Sequence, residues 1–308
     1  MITRINNFLK KYPHEGISPI WNIESSFYSK SEISEEDFEE ASNNGLYRGY
    51  YGGNPYDVCF RGLLNLAKAY GICGIDNSEM GIMLRSKSNI EIMEVEKILD
   101  LLEIKLGFPL IFPSYNGNCT GNIKSSKGNF TQKEMFSLYL LKRIMELYPD
   151  RNTKILEVGA GLGILGYFLD CAGYKNYTII DLSRTNACQS FYLYKALPHR
   201  NIILTDEVDD YFSSEHNTDI KIIHFSKFND INGIQFDVLI NNDSFTEMCF
   251  DDASNYINRN VAKQVLSINH EVNEFRVIDI CKPNYRIIYR FPCWVRDFYV
   301  EELYNLEL

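Results

Sequence analysis

Three glycines on alternate positions are the first feature of the sequence that could do chemistry. The segment 154–163 reads KILEVGAGLG, an apolar, strand-like run that enters a turn with glycines at 159, 161 and 163. Glycine lets a ligand approach the backbone closely, so such a turn is typical of a nucleotide-like cofactor. The dinucleotide fingerprint G-x-G-x-x-G would need its third glycine at 164, where the residue is isoleucine. The spacing therefore disfavours NAD.

An acidic residue follows this turn at the distance expected of a ribose-binding carboxylate. Asp181 ends the next apolar run, YTIID, and can accept both hydroxyls of an adenosine ribose. With Glu157 before the turn, the pattern E-x-G-x-G-x-G is the form used for S-adenosylmethionine (SAM). The predicted SAM-binding residues are Glu157, Gly159, Ala160, Gly161, Gly163, Asp181, Leu182 and Asn241. The alternative is an ordinary tight turn followed by an N-cap aspartate.

The segment FDVLINNDSFTEM bears on the acceptor of a methyl group. It lacks the Asn/Asp-Pro-Pro-aromatic element that grips a planar amine, which argues against methylation of a base. An alcohol acceptor needs a general base, because its hydroxyl pKa is far above neutrality. The candidates are Glu247, then His270, then Asp243, all just past strand ends. Each has a structural alternative: a solvated first-turn glutamate, a satisfied imidazole, and a turn or N-cap aspartate.

Substrate and metal contacts are less defined by the sequence. Aromatic and amide side chains suit carbohydrate faces and hydroxyls, which suggests sugar contacts from Tyr51, Asn54, Asn116 and Asn118. Asn-Gly and Gly-Asn pairs are also common in plain turns. The scheme requires no metal, and no cluster of ligands in the sequence compels one, so we predict none.

Alternating strand and helix patterns must position these residues. Strands are predicted at 154–158, 177–181, 220–225, 236–241 and 264–269, and helices at 162–172, 185–197 and 252–263. Such alternation predicts a doubly wound, mostly parallel Rossmann-like α/β sheet. The runs 285–290 and 297–304 have no helix between them and predict a terminal antiparallel hairpin. Residues 107–129, rich in Gly, Asn, Pro and Ser, predict a long loop.

We predict two regions, a helical lid or substrate region over 1–130 and a SAM-binding domain over 131–308. The net charge of −10 and a pI near 5.1 disfavour a nucleic-acid partner. The eight cysteines include no C-x-x-C pair and suit a reducing compartment. No apolar leader and no run of about 18 apolar residues occurs, so we expect a cytoplasmic protein without a membrane span.

Three segments together resemble a known family. YTIIDLSRTNACQSFYLYKALP, FDVLINNDSFTEM and FPCWVRDFYVEELY are similar to successive motifs of the sugar O-methyltransferase family of class I SAM-dependent methyltransferases. The likeness spans about 155 to 304. It implies methylation of a sugar hydroxyl, on a nucleotide sugar or glycan, in capsule, lipopolysaccharide or natural-product synthesis. Ser183 stands where many relatives have proline after Asp-Leu, and serine is a good N-cap residue.

Other functions stay open at this stage. A methyltransferase acting on an amine or carboxylate of a small metabolite would share the cofactor residues. A non-catalytic SAM-binding scaffold would keep Asp181 and the glycines but not the base. An NAD-linked oxidoreductase is disfavoured by Ile164.

Overall fold

The computed structural model describes residues 1–13, 30, 32–38, 55–72, 89–113, 123–281 and 284–307. The predicted sugar contacts Tyr51, Asn54, Asn116 and Asn118 lie outside these residues.

An eight-stranded sheet organises most of the described chain. Its strands are β3 (Ile155–Val158), β4 (Tyr177–Asp181), β5 (Ile202–Leu204), β6 (Ile220–His224), β7 (Phe236–Asn242), β8 (Ala262–His270), β9 (Tyr285–Pro292) and β10 (Tyr299–Leu306). The spatial order is β5-β6-β4-β3-β7-β8-β10-β9. All neighbours up to β8 pair in parallel, and β10 is antiparallel to both β8 and β9. The predicted mostly parallel α/β sheet with a terminal antiparallel hairpin is confirmed.

The chain order of the strands reverses between β3 and β7. From β3 the chain steps outward through β4 to the β5–β6 edge, then returns to β7 and continues to the other side. In doubly wound sheets, ligands bind at the carboxyl ends of the strands beside such a switch point. The glycine turn follows β3, and the segment Asn241–Ser244 ends β7 and continues beyond it, so the fold places both motifs there.

The helices, in chain order, are α1 (Ile2–Lys11), α2 (Pro55–Ala69), α3 (Asn89–Leu106), α4 (Gln132–Leu147), α5 (Ile164–Cys171), α6 (Ser183–Ala196), α7 (Phe250–Asn258) and α8 (Val277–Cys281). The helix predicted over 252–263 ends earlier, at Asn258. Asn260 has a left-handed φ of 53°, which a continuing helix does not allow, and β8 begins at Ala262.

A short hairpin lies in the segment predicted as a long loop. Strands β1 (Ile123–Ser125) and β2 (Gly128–Phe130) pair antiparallel. Gly128 has a φ of 107°, and an added Cβ would lie 2.3 Å from the carbonyl oxygen of Phe112. Glycine is therefore needed both for the turn and for close backbone approach. The loop prediction was wrong for these residues.

Two compact units divide the chain. The first contains Met1–Phe38, Asp150–Cys293 and Asp297–Leu308, and the second contains Glu39–Pro149 and Trp294–Arg296. The first unit holds α1 and the large sheet. The second holds α2, α3, α4 and the β1–β2 hairpin. This division differs from the predicted boundary at 130/131, since α1 joins the sheet unit and α4 joins the helical one.

The central strands of the sheet are buried on both faces. Their successive residues are therefore apolar, without the alternation of a strand that has one face in solvent. One buried cluster joins the sheet to α7 and α8 and includes Leu156, Ile180, Leu239, Phe245, Ile257, Val265 and Val277. A rigid framework thus supports the carboxyl ends of β3, β4, β7 and β8. Within the described part of the chain, no helix is long and apolar enough to cross a membrane.

Candidate active site

The glycine turn is built so that only glycine fits at its first position. Gly159, Gly161 and Gly163 have φ values of 72°, 57° and 82°, all in the left-handed region. A Cβ added at Gly159 would lie 2.1 Å from Oγ and 2.6 Å from Cβ of Ser244. At Gly161 an added Cβ would meet no described atom within 4 Å. The turn is therefore packed tightly against the end of β7 at Gly159 and open at Gly161.

Asp181 is tied to the glycine turn through Gln189. Its carboxylate accepts hydrogen bonds from Leu182 N at 2.8 Å and from Gln189 Nε2 at 2.7 Å. Gln189 Nε2 also donates to the carbonyl oxygen of Gly161 at 2.9 Å. Burial raises the pKa of Asp181 to about 7, although these donors favour the ionised form. A ribose would compete with Leu182 N and Gln189 Nε2 for this carboxylate.

Glu157 lies under the turn and is 3% exposed. The hydroxyl of Tyr177 donates to its carboxylate. Burial raises the pKa of Glu157 to about 7, and the charge of Asp181 adds to the effect, while the Tyr177 hydrogen bond opposes it. Gly166 of α5 has no room for a Cβ, which would lie 2.5 Å from the Tyr177 ring. The carboxylate is therefore held in a close-packed site beneath the turn.

Asn241, predicted to touch the cofactor, is completely buried and joins two strand ends. Its Nδ2 donates to the carbonyl oxygen of Val158 at 2.9 Å, and its Oδ1 accepts from Phe245 N and from Asn269 Nδ2, each at 2.9 Å. Ser244 Oγ donates to the same Val158 oxygen at 3.2 Å. These bonds fix the segment after β7 directly beside the glycine turn. Asn241 thus holds the glycine turn after β3 beside the segment that follows β7.

The three residues predicted as general bases lie together. Asp243, Glu247 and His270 each contribute a nitrogen or oxygen atom to a group in which all such atoms lie within 4.8 Å of one another. All three side chains are partly buried. They come from different elements: the end of β7, a 3-10 turn at Phe245–Glu247, and the last residue of β8. Asp243 and Glu247 are close in sequence, and the parallel pairing of β7 with β8 brings His270 beside them.

Neighbouring strands hold this cluster in place. Asp243 has a left-handed φ of 71°, and its N–H donates to the carbonyl oxygen of Ile268 at 2.9 Å. Tyr299, at the start of β10, pairs in register with His270. Its hydroxyl donates to Asp243 Oδ1, and its ring meets the imidazole edge to face at a centroid distance of 5.5 Å. Tyr299 therefore contacts both an acid and the histidine.

Sequence reasoning missed Gln189 and Tyr299 as members of the site, whereas Ser244 belongs to the NNDS segment that it expected to line the site on the methionine side. Each lies in one of the three segments that resemble the sugar O-methyltransferase family, which is the signal that could have indicated them. The prediction that Ser183 caps α6 was wrong. Leu182 occupies the N-cap and Ser183 the first helical position, where proline is also well tolerated. The Ser183 hydroxyl instead lies 3.0 Å from His224 Nε2.

No family model and no curated relative matches the chain. Several solved structures are similar at low identity. The PH0226 protein of Pyrococcus horikoshii has a TM-score of 0.41 at 10% identity, covering 55% of this chain and 88% of its own. Magnesium protoporphyrin IX methyltransferase from Synechocystis PCC 6803, with bound SAM, has a TM-score of 0.39 at 14% identity, covering 57% and 83%. A SAM-dependent methyltransferase from Aquifex aeolicus has a TM-score of 0.38 at 13% identity, covering 55% and 89%. At these values the likeness carries no weight for the function of this chain.

Proposed function

We propose that this chain is a SAM-dependent O-methyltransferase that transfers a methyl group to a sugar hydroxyl. The acceptor is a nucleotide sugar or a glycan in surface-polysaccharide or natural-product synthesis. The observation that carries the proposal is the meeting of two motifs at the switch point of the sheet. The glycine turn after β3 and the Asp243–Glu247–His270 cluster after β7 and β8 are joined through Ser244 and Asn241. A cofactor on the turn would have a group of proton acceptors beside it.

The charge of the site favours SAM over a dinucleotide. Glu157 and Asp181 lie at the turn, and Asp243 and Glu247 lie beyond it. SAM carries a cationic sulfonium and an ammonium group, which carboxylates attract. An acid at the position of Asp181 also occurs in dinucleotide sites, so the discrimination rests on Glu157, Asp243 and Glu247, which would repel the pyrophosphate of NAD. Ile164 is also the first residue of a buried helix, where the dinucleotide pattern requires glycine.

The open space at Gly161 suits a ligand on the turn. A Cβ there would meet no described atom, so the left-handed backbone leaves room for a cofactor to approach. Asp181 ends the neighbouring strand β4 and would bind the ribose by accepting hydrogen bonds from its hydroxyl groups. Bound SAM, being cationic, would lower the raised pKa values of Glu157 and Asp181 and release protons at neutral pH.

The chemical step is a direct displacement. A side chain of the cluster accepts the proton of the acceptor hydroxyl, with Glu247 the first choice and His270 the second. The hydroxyl oxygen forms a bond to the methyl carbon as the carbon–sulfur bond breaks. The electron pair goes to sulfur and leaves neutral S-adenosylhomocysteine. In-line alignment of oxygen, carbon and sulfur is the larger part of the acceleration, since positioning replaces a bimolecular encounter.

The assignment of a sugar as acceptor is supported by the sequence resemblance alone. Two of the resembling segments supply residues of the candidate site: FDVLINNDSFTEM supplies Asn241, Asp243 and Glu247, and FPCWVRDFYVEELY supplies Tyr299. The predicted sugar contacts Tyr51, Asn54, Asn116 and Asn118 remain predictions.

Calorimetric titration tests the cofactor first. SAM, S-adenosylhomocysteine and NAD are titrated into the wild type, Asp181→Asn and a matched control, Asp209→Asn, whose side chain is exposed. We expect micromolar binding of SAM and its product, weakened at least tenfold by Asp181→Asn and unchanged by the control. Binding of NAD, or of none of the three, would contradict the proposal. Nucleotide sugars are then screened by mass spectrometry for the gain of one CH₂ group.

A further inference from the structure

We propose that a cleft at the amino-terminal edge of the large sheet binds a small oxyanion, a carboxylate or a phosphate group, through Lys221 and Lys154. The cleft has a volume of about 280 Å³, part of it open to solvent. It lies at the opposite edge of the sheet from the glycine turn and the Asp243–Glu247–His270 cluster. The inference is therefore independent of the proposed function.

The pairing of three strands brings the polar side chains of the cleft together. Lys221, the second residue of β6, is the register partner of Thr178 on β4, so the two side chains lie on the same face of the sheet. Thr178 is in turn the partner of Leu156 on β3. Lys154 comes two residues before Leu156 and lines the same cleft. Two lysines and a hydroxyl thus meet on one surface.

Two aromatic rings form an apolar part of the wall. Phe236, the first residue of β7, meets Phe212 edge to face at a centroid distance of 5.4 Å. Both rings line the cleft with Lys221. Asn176 lines it as well, and its Nδ2 donates to the carbonyl oxygen of Asn152 at 3.0 Å. The rings limit the access of water, so an ammonium group beside them is poorly solvated.

The amine of Lys221 lacks a partner that its surroundings would be expected to supply. Lys221 is 4% exposed, and its amine makes no hydrogen bond or ion pair with the part of the chain that the structure describes. Asp219 acts on it only through its charge, because that carboxylate lies 2.9 Å from His216 Nδ1. Lysine is rarely so buried unless it is paired. An anion in the cleft would provide the missing partner.

The charges around Lys221 favour an anion. Burial lowers the pKa of Lys221 to about 8, the charge of Asp219 opposes this shift, and the charges of Lys154 and Arg200 add to it. The amine is still mostly protonated at neutral pH. A bound anion would offset both its poor solvation and the repulsion from the two other cations.

The lining indicates the class of ligand. None of the described residues that line the cleft is acidic, and its lysines, amides and threonine can all donate hydrogen bonds. Such donors suit the oxygens of a carboxylate or a phosphate, which lysine binds as a point charge. The cleft is smaller than the roughly 300–1,000 Å³ typical of sites for drug-sized ligands. A small ion, or the anionic end of a larger molecule, is the ligand that fits.

Nuclear magnetic resonance of protein labelled with ¹³C-lysine tests the site directly. The Cε signal of Lys221 is identified by its absence from Lys221→Met, which keeps the apolar stem and removes only the amine. Its titration midpoint is measured without an added anion, with inorganic phosphate and with acetate, at one ionic strength balanced with chloride. We expect phosphate or acetate to raise the midpoint by about half a pH unit or more, because the anion favours the charged amine.

Matched variants separate a built site from general effects of salt. Lys154→Gln should weaken the affinity for the effective anion about tenfold, since it removes one of two cations. The control Lys105→Gln removes an exposed lysine of α3 and should leave the affinity unchanged. The Lys105 signal of the wild type should not move with either anion.

The two probes also define the ligand. A shift with phosphate alone assigns a phosphate group, and a shift with acetate alone assigns a carboxylate. No shift with either probe, an equal shift at Lys105, or an affinity that Lys154→Gln retains would overturn the anion site. These results do not depend on SAM, so the anion site and the methyltransferase can fail separately.

Discussion

Replacing Gly159 with alanine should destabilise the chain for two separable reasons. The left-handed φ of 72° costs an L-residue roughly 1–2 kcal/mol. The added Cβ would also lie 2.1 Å from Ser244 Oγ and 2.6 Å from its Cβ, and such overpacking typically costs about 1–3 kcal/mol. Together they predict a loss of about 2–5 kcal/mol, a large share of the roughly 5–15 kcal/mol by which domains are stable.

Gly161→Ala is the matched control. Its φ of 57° carries the same kind of backbone cost, but its Cβ would meet no described atom. We expect a loss of roughly 1–2 kcal/mol in stability, together with weakened SAM binding, since the methyl group would occupy the space proposed for the cofactor. Urea unfolding followed by circular dichroism measures both variants at one pH.

A double-mutant cycle isolates the steric part. Ser244→Gly removes both atoms that the new Cβ would meet, so it should recover about 1–3 kcal/mol in the Gly159→Ala background. The backbone cost should remain. If Gly159→Ala costs no more than Gly161→Ala, or if the two substitutions show no coupling, the packing of the turn against β7 described above is incorrect.

Three further predictions concern single side chains. Glu247→Gln should retain SAM binding but lower methyl transfer by about 10²–10⁴-fold, measured as product formed at saturating SAM, and full activity would exclude a role in the reaction. The raised pKa of Glu157 means that the folded chain binds its proton more tightly than the unfolded chain does, so stability should fall as pH rises from about 4.5 to about 7. The free energy of unfolding is measured with urea at about pH 5 and about pH 8, and Glu157→Gln should reduce the difference between the two values. An unchanged difference would mean that other groups cause the loss of stability. Asn241→Ala leaves buried donors and acceptors unpaired and should cost about 2–4 kcal/mol in the same assay, whereas a loss below about 1 kcal/mol would contradict its linking role.

The arrangement of the sheet could be predicted because each strand and each helix has its own pattern within a short stretch of sequence. Apolar runs separated by helical patterns predict parallel strands, and the carboxyl ends of such strands share one edge. That rule alone placed Glu247, His270 and Asp243 at the same edge, and the structure brings them together.

Other features depend on contacts between distant residues and had no local signal. The β1–β2 hairpin has three-residue strands, too short for an alternating pattern to be recognised. The links from Gln189 to the glycine turn and from Tyr299 to Asp243 depend on side-chain directions set by packing. Asp181 was predicted as a ribose acceptor, and its carboxylate already accepts hydrogen bonds from Leu182 N and Gln189 Nε2, which a sequence pattern cannot reveal.

The left-handed backbone of Asp243 has a consequence for how this chain could change under selection. Such a conformation costs a non-glycine residue on the order of 1–3 kcal/mol. Glycine at 243 would relieve that strain while deleting the carboxylate from the cluster. Variants selected for heat resistance alone would therefore tend to lose this acid, and variants selected for turnover would keep it. At position 243, backbone strain favours glycine, whereas the proposed reaction requires the carboxylate.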